Sequence, residues 1–250
     1  MDNVRARSNS ELVDAAFELY RRKFSVFLTL GAISLVPMIP ATMLKNNASS
    51  FEAEPLSVVI FGLVVISFAI SCLGAAAVSR AAGRAYLGDE SIDVGSAIGY
   101  VLQRPVRIIL ATLLKGLIFT IGFIFLVIPG FFAMKSYFAV PATLVMEKPE
   151  SSREALKRSH EVSKGWGKRI FLVLLPTWLL YMIAVTVVGA AFQLAAGDSV
   201  WAEVIMMAVY AATYPIIEII TTLLYLDIRV RSEGYDIELM AKGLDANLAS

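Results

Sequence analysis

Three long windows of this 250-residue chain, residues 24–44, 56–78 and 170–194, contain no Asp, Glu, Lys or Arg. A hydrocarbon core about 30 Å thick is crossed by about 20 mainly apolar residues in an α-helix, because each residue rises about 1.5 Å. The three windows therefore predict bilayer-spanning helices.

Two further windows have the same length but carry charge. Residues 106–128 contain Lys115, and residues 201–226 contain Glu218. Each window has a second charged residue near one end, Arg107 or Glu203. We interpret both as spanning helices, because two charged groups in more than 20 residues leave the window mainly apolar.

The shortest apolar window, residues 131–146, contains Lys135 and directly follows Pro129 and Gly130. A Pro-Gly pair between two apolar stretches predicts a tight helical hairpin. A window of this length either crosses the bilayer with little tilt, thins it locally, or does not span it fully.

The composition agrees with a membrane protein. Hydrophobic residues make up 58% of the chain and charged residues 17%, whereas soluble domains contain about 45–50% apolar and about 25% charged residues. This apolar excess exceeds what a compact core of this size hides. The net charge of +1 indicates no nucleic-acid partner.

The basic residues indicate an orientation. Of the 22 Lys and Arg residues, only Lys45, Lys115 and Lys135 lie outside four segments that six spans would place on one side of the membrane. Because Lys and Arg accumulate in cytoplasmic loops, this pattern predicts six spans with both termini in the cytoplasm. The four segments are residues 1–23, 79–107, 147–169 and 227–250.

The segments before the first, third and fifth spans resemble one another. In each, a serine (Ser10, Ser91 or Ser151) precedes a predicted amphipathic helix that ends in basic residues. Such helices lie in the membrane interface. We predict an all-α membrane protein in which an interfacial helix plus a transmembrane hairpin is used three times; the alternative is three unrelated amphipathic loops. The predicted apolar stripes are Val13, Phe17, Tyr20 and Phe24 in the N-terminal segment, Ile98, Val101 and Leu102 near residues 91–105, and Ala155, Leu156, Ser159, Val162 and Trp166 near residues 151–166.

Cations at the ends of the predicted spans are candidates for binding anionic lipid headgroups, since Lys and Arg near a membrane surface are attracted to it. The candidates are Arg21, Arg22, Lys23, Arg104, Arg107, Lys168, Arg169, Arg229 and Arg231.

Residues for catalysis are scarce. One His (His160) and one Cys (Cys72) exclude a disulfide framework and a Cys/His zinc site. None of the predicted spans contains Asp, which excludes an intramembrane aspartyl dyad. We predict no catalytic residues, no metal and no cofactor; a membrane enzyme using edge carboxylates, Glu147, Asp227 and Glu233, is the weaker alternative.

Ionisable groups inside the membrane are functional candidates because exposing them to lipid is costly. Lys115 and Glu218 lie at matching depths, about 12–14 Å from the same face at about 1.5 Å per residue. We predict an ion pair between them, which either fixes helix packing or belongs to a transporter or lipid permease. Lys135 is a further candidate polar site, or its side chain extends to the outer face.

Two stretches of the chain form recognisable motifs: Pro141-Ala-Thr-Leu-Val-Met-Glu147 with Glu154-Ala-Leu-Lys-Arg-Ser-His-Glu-Val-Ser-Lys-Gly-Trp-Gly-Lys-Arg-Ile-Phe171, and Leu223-Leu-Tyr-Leu-Asp-Ile-Arg-Val-Arg-Ser-Glu-Gly-Tyr-Asp-Ile-Glu238. These motifs resemble those of the bacterial inner-membrane proteins related to the membrane domain of glycerophosphoryl diester phosphodiesterases. His160 departs from the aromatic residue expected at its position. In two-part members a separate soluble barrel performs hydrolysis, so the resemblance implies no catalysis here.

The predicted organisation is a cytoplasmic amphipathic segment (1–23), a six-span domain (24–226) and a cytoplasmic tail (227–250). The predicted function is that of a non-enzymatic, multi-pass inner-membrane protein in envelope or lipid homeostasis, or an accessory subunit. Its expected partners are anionic lipids and a membrane protein or a second copy of the chain.

Overall fold

The structure, a computed structural model, describes residues 5–35, 53–125, 127–197 and 200–248. Every regular element in these ranges is an α-helix, which confirms the predicted all-α class. In chain order the helices are α1 (Asn9–Arg22), α2 (Phe24–Leu35), α3 (Ala53–Tyr86), α4 (Val94–Leu102), α5 (Pro105–Phe125), α6 (Val127–Tyr137), α7 (Val140–Met146), α8 (Ser152–Ser163), α9 (Gly167–Ala196), α10 (Val200–Glu233) and α11 (Tyr235–Leu248).

Within the described residues, five stretches are long and apolar enough to cross a membrane, so the chain is a multi-pass membrane protein. The predicted first span is described only as α2, an apolar helix of 12 residues. Its remaining residues, 36–44, lie outside the described part of the chain, and the sixth crossing stays a prediction. The five stretches are Phe61–Tyr86, Pro105–Phe125, Ile128–Met146, Gly167–Phe192 and Val204–Glu233.

Four segments that are distant in sequence meet at one end of the bundle, which we call the basic edge (residues 5–23, 84–107, 147–169 and 227–233). The backbone N–H of Arg7 donates to Asp227 Oδ1 at 2.7 Å. Lys23 Nζ lies 3.2 Å from a Glu90 carboxylate oxygen. The helices α2, α5 and α9 begin at this edge, while α3, α7 and α10 end there.

The tightest packing also lies near the basic edge. The second half of α3, from Ala76 to Ala85, packs with α7 and with the last third of α10. At the opposite end, apolar side chains such as Ile124 (72% exposed) and Leu194 (90%) project outward. In a spanning bundle these exposed side chains face lipid, which is as apolar as they are.

Helix α1 buries a different face from the predicted one. Its buried residues are Leu12, Ala15, Ala16, Leu19 and Tyr20, and they pack against α10 and its neighbours. Of the predicted stripe, only Tyr20 is buried, because α1 is apolar on two sides and the bundle covers one of them. Val13 is half-buried, and Phe17 and Phe24 are exposed.

The predicted stripe of α8 matches the structure better, since Ala155, Leu156, Ser159 and Val162 are buried. These residues face the other helices of the bundle. In α4, Val101 is buried and Leu102 is exposed.

Two of the three helix starts differ from the prediction by two residues. The N-cap of α1 is Ser8, whose hydroxyl accepts from the Glu11 N–H at 3.2 Å, and the N-cap of α4 is Asp93. Both positions offer the reciprocal bonds of a capping box, which stabilises them as helix starts. Ser151 caps α8 as predicted.

The predicted hairpin is present, since α5 and α6 pack against each other, but its turn does not lie at Pro129 and Gly130. Both residues lie inside α6, which begins at Val127. Proline is tolerated there because the first turn of a helix lacks partners for its N–H groups. A Cβ on Gly130 would lie 2.6 Å from the Phe123 ring, so this glycine serves close packing of α5 and α6.

The predicted span 131–146 is broken between Tyr137 and Val140. Pro141 lies in the first turn of α7, and because it has no N–H to donate to the Tyr137 carbonyl, it does not continue α6. Ser159 of α8, which is fully buried, crosses the break: its hydroxyl donates to the Ser136 carbonyl at 3.1 Å and accepts from the Ala139 N–H at 3.2 Å. One side chain thereby satisfies two backbone groups that the break leaves open.

We expect Ser159→Ala to lower the free energy of unfolding by about 1–3 kcal/mol, since it leaves a buried donor and a buried acceptor unsatisfied. Unfolding of the purified protein in mixed micelles, titrated with dodecyl sulfate, measures this loss. Ser163→Ala is a matched control on the same helix, because the Ser163 hydroxyl bonds only to its own helix, at the His160 carbonyl. Equal stability of Ser159→Ala and the unsubstituted protein would contradict the bridging role.

The last long helix continues beyond the predicted end of the membrane domain. Residues 227–233, predicted as part of a tail, are the final two turns of α10. Gly234 ends the helix at φ +63°, a conformation that glycine adopts readily.

Candidate functional site

A buried carboxylate organises one half of the basic edge. The Asp227 side chain is 2% exposed, and its Oδ2 lies 2.8 Å from Arg169 Nη2 and 2.9 Å from Arg231 Nε. The Asp227–Arg231 pair is the i,i+4 interaction expected on a helix, whereas Arg169 comes from the start of α9. Asp227 thereby ties α9 to α10.

The same group binds the peptide backbone of Arg7. Asp227 Oδ1 accepts from the Arg7 N–H, while Arg169 and Arg231 donate to the Arg7 carbonyl at 2.5 and 2.6 Å. The Arg7 guanidinium donates to the Tyr86 hydroxyl at 3.0 Å. We call Asp227, Arg169 and Arg231 the Arg7 clamp, because they hold both polar groups of that residue's backbone.

A second ionic group, the Glu147 cluster, occupies the other half of the edge: Glu147, Arg158, Tyr225, Arg229 and Glu233. Arg158 binds Glu147 through two bonds of 2.6 and 3.0 Å and reaches Glu233 at 2.6 Å. Arg229 lies 2.8 Å from Glu233, and the buried Tyr225 hydroxyl donates to Glu147. The cluster joins α7, α8 and α10.

Arg158 is the central cation of this cluster. Burial by itself lowers the pKa of Arg158, but its hydrogen bonds to Glu147 and Glu233 outweigh that effect and raise the pKa above the ordinary value. A raised pKa means that the cation is present throughout the physiological range, so the cluster keeps its positive centre.

Three of the predicted lipid-binding cations are bound inside the protein. Arg169 and Arg231 belong to the Arg7 clamp, and Arg229 belongs to the Glu147 cluster. Their carboxylate partners lie either far away in the sequence or one helical turn away. The hydropathy pattern reveals neither kind of ion pair. These three guanidiniums therefore stabilise the packing of the helices through ion pairs.

Three other candidates contact neighbouring loops. Arg22 and Lys23 lie 3.6 and 3.2 Å from the Glu90 carboxylate, and Arg107 donates to the Pro149 carbonyl. Glu90 is 63% exposed, so these cations retain access to the surroundings.

The remaining three, Arg21, Arg104 and Lys168, are exposed. Within the described ranges none of them has a carboxylate within 4.0 Å. Arg21 lines a surface groove beside Phe17, and Arg104 lines another with Arg107 at the start of α5.

The edge carboxylates proposed as a catalytic alternative, Glu147, Asp227 and Glu233, are all paired with arginines. Among the residues that the structure describes, no group of three His, Cys, Asp or Glu side chains is placed to hold a metal.

The intramembrane candidates Lys115 of α5 and Glu218 of α10 lie near enough for their charges to interact. No nitrogen–oxygen contact of 4.0 Å or less joins them in the described part of the chain. Glu218 accepts from Ser79 of α3 at 3.4 Å and from Tyr214 at 3.5 Å. The direct ion pair stays a prediction.

Lys135 lies apart from this group. Its side chain packs against Gly167 at the start of α9, where a Cβ on the glycine would lie 2.7 Å from Lys135 Cδ. Its ammonium is 4.7 Å from the centre of the Phe132 ring. Because α9 begins at the basic edge, the side chain extends towards that edge and away from the predicted outer face.

Four residues that organise the site were not singled out as site residues from the sequence: Arg7, Tyr86, Arg158 and Ser159. Only Ser159 left a signal, as a polar member of an apolar stripe. Arg7, Tyr86 and Arg158 bond to residues 75 or more positions away in the sequence, apart from the Arg158–Glu147 bond.

Comparison with protein-family models, with curated proteins and with solved structures finds no match to this chain. The family resemblance stays a prediction. Residues of the two motifs take part in the Arg7 clamp and the Glu147 cluster. They are Glu147, Tyr225, Asp227, Arg229, Arg231 and Glu233.

Proposed function

We propose that the protein is a non-enzymatic, lipid-associated protein of the bacterial inner membrane that binds anionic headgroups along its basic edge. The carrying observation is that Arg21, Arg104 and Lys168 are exposed and have no carboxylate within 4.0 Å in the described part of the chain, whereas Arg158 and Arg169 of the same edge are paired. Each lies within three residues of the start of an apolar helix, α2, α5 or α9.

This position suits a headgroup contact. The start of a spanning helix lies at the lipid interface, where cations are attracted to an anionic leaflet. The exposed rings of Phe17 and Phe24, 41% and 47% accessible, flank Arg21 and offer apolar contact beside the charge. Such a combination is typical of helices that lie on a membrane surface.

The proposal includes six spans with cytoplasmic termini. The convergence of four basic segments at one edge supports it, since cytoplasmic segments are enriched in Lys and Arg. An accessory role beside another membrane protein or a second copy of the chain belongs to the same proposal, because lipid and protein compete for the same exposed helices.

We expect Arg21→Gln, Arg104→Gln and Lys168→Gln each to weaken binding of phosphatidylglycerol about fivefold, the equivalent of about 1 kcal/mol per cation. Native mass spectrometry of detergent-purified protein titrated with phosphatidylglycerol or phosphatidylcholine measures this change. The triple variant should bind the two lipids equally, with phosphatidylcholine binding unchanged.

A charge-matched triple variant, Arg5→Gln with Arg153→Gln and Lys157→Gln, is the control. It removes three exposed cations from the same edge, but none of them lies at the start of a spanning helix. The proposal fails if this control loses as much lipid preference as the test variant, or if the unsubstituted protein shows no preference.

A further inference from the structure

The polar group inside the membrane, made of Lys115, Glu218, Tyr214 and Ser79, plays no part in headgroup binding. Glu218 lies nine residues before Asp227 on α10, about 13 Å from the basic edge at about 1.5 Å per residue. Lys115 lies ten residues into α5, at a similar depth. A carboxylate and an ammonium therefore lie at a similar depth near the middle of the bilayer.

The geometry differs from that of a packing pair. In the Arg7 clamp, on the same helix α10, Asp227 has partners at 2.7, 2.8 and 2.9 Å, as expected for charge-assisted bonds. Glu218 has only hydroxyl contacts of 3.4 and 3.5 Å, and Lys115 stays beyond salt-bridge distance. A permanently ionised carboxylate at this depth requires closer partners.

The partners of Glu218 suit both of its protonation states. A hydroxyl group donates to a carboxylate and accepts from a carboxylic acid, so Ser79 and Tyr214 can serve either form. Lys115 supplies a positive charge without a bond that protonation would have to break.

Polar side chains lie on both sides of Glu218, but those towards the basic edge are buried and bonded, whereas the other side has an exposed tyrosine. Towards the basic edge, Thr222 and Tyr225 are fully buried and already bonded, to the Glu218 carbonyl and to Glu147. In the other direction, Tyr214 is followed one turn further by Tyr210, which is 36% exposed, and Tyr181 of α9 interacts with both tyrosines.

Within the described helices, no Lys, Arg or His nitrogen lies within 4.0 Å of the Glu218 carboxylate. Helix α3 contributes Ser79, with the Cys72 thiol near Lys115 and Thr112, and α5 contributes Lys115. Helix α2 packs against α10 but contains no titratable residue. Tyr20 of α1 donates to the Ala212 carbonyl at 2.6 Å.

We propose that Glu218, with Lys115 and Tyr214, is an intramembrane proton-binding site reached from the side of the membrane opposite the basic edge. A proton from water on that side adds to the Glu218 carboxylate and gives the neutral acid. Lys115 keeps its charge, so the site changes from net neutral to net positive. This site is independent of the proposed headgroup binding.

Dicyclohexylcarbodiimide tests the site, because this lipid-soluble reagent modifies protonated carboxyl groups within membranes. We expect labelling of Glu218, located by mass spectrometry in proteoliposomes, to rise as pH falls, by up to about tenfold per pH unit where the carboxyl is mostly ionised. The rise should follow the pH opposite the basic edge. Molecules are assigned to an orientation by trypsin cleavage at the basic edge.

Lys115→Met separates a proton-binding role from a packing role. Removing the positive charge favours the neutral acid, so labelling of Glu218 should extend to higher pH. Tyr214→Phe, which keeps the ring, is the second variant and is used if Lys115→Met fails to fold. It should change the rate at which Glu218 is labelled. Glu233, an arginine-paired carboxylate on the same helix, is the internal control and should remain unlabelled.

Absence of labelling at Glu218 across the pH range overturns the proposal. So does labelling that follows the pH at the basic edge, or a pH profile that neither variant changes. Lipid binding of the Glu218→Gln variant should be unchanged, which keeps this test distinct from the test of headgroup binding.

Discussion

Asp227→Asn is expected to lower the free energy of unfolding by about 3–5 kcal/mol, the usual cost of removing one partner of a buried ion pair. The substitution leaves Arg169 and Arg231 without their shared carboxylate and weakens the bond to the Arg7 N–H. The Arg7 clamp should then release residues 5–8. Dodecyl sulfate titration measures the stability, and the rate of trypsin cleavage after Arg7 measures the release.

Asp14→Asn is the matched control for this substitution. Asp14 is exposed on α1, and no carboxylate–cation contact within 4.0 Å involves it in the described ranges. We expect a change within about 0.5 kcal/mol, as for ordinary surface positions. A clamp role is excluded if Asp227→Asn is as stable as Asp14→Asn and its cleavage after Arg7 is no faster.

Arg158→Met is expected to lower the free energy of unfolding by about 2–3 kcal/mol, because it removes charge-assisted bonds to two carboxylates. The Arg158 side chain is only 25% exposed, and Glu147 and Glu233 are 20% and 29% exposed. Burial by itself raises the pKa of Glu233, but hydrogen bonds from Arg158 and Arg229 outweigh it and lower that pKa. This stabilisation is therefore lost as pH falls, and the effect of the substitution should shrink at low pH. Chemical unfolding at two pH values checks both expectations.

Arg153→Met on the same helix provides the comparison, since Arg153 is exposed. A double-mutant cycle of Arg158→Met with Glu147→Gln isolates the pairwise energy. Additive effects would show that the two side chains do not stabilise each other, contrary to the bidentate contact.

The helical class and the multi-pass character follow directly from the sequence, because lipid thickness sets how long an apolar helix must be. The break between α6 and α7 is less accessible. Pro141 indicates that the helix is disturbed, but only the packing of α8 shows that Ser159 completes the hydrogen bonding. Helix α1 poses the same difficulty, since Phe17 and Leu19 are both apolar and only the neighbouring helices decide which is buried.

For a similar reason, the sequence does not predict which basic residues are paired with carboxylates and which are exposed. Charge counting treats Lys168 and Arg169 alike, because both lie at the start of α9. The structure exposes the first and pairs the second with Asp227. This choice depends on a contact across 58 positions of chain, which neither hydropathy nor local spacing encodes.

The Arg7 clamp has a consequence for biosynthesis. Residue 7 leaves the ribosome long before residues 227 and 231, which complete its binding group. The Arg7 backbone therefore has no clamp to bind until α10 has been made. Stalled or truncated polypeptides that lack α10 would leave this backbone open to membrane proteases, whereas in finished molecules Asp227, Arg169 and Arg231 bind it.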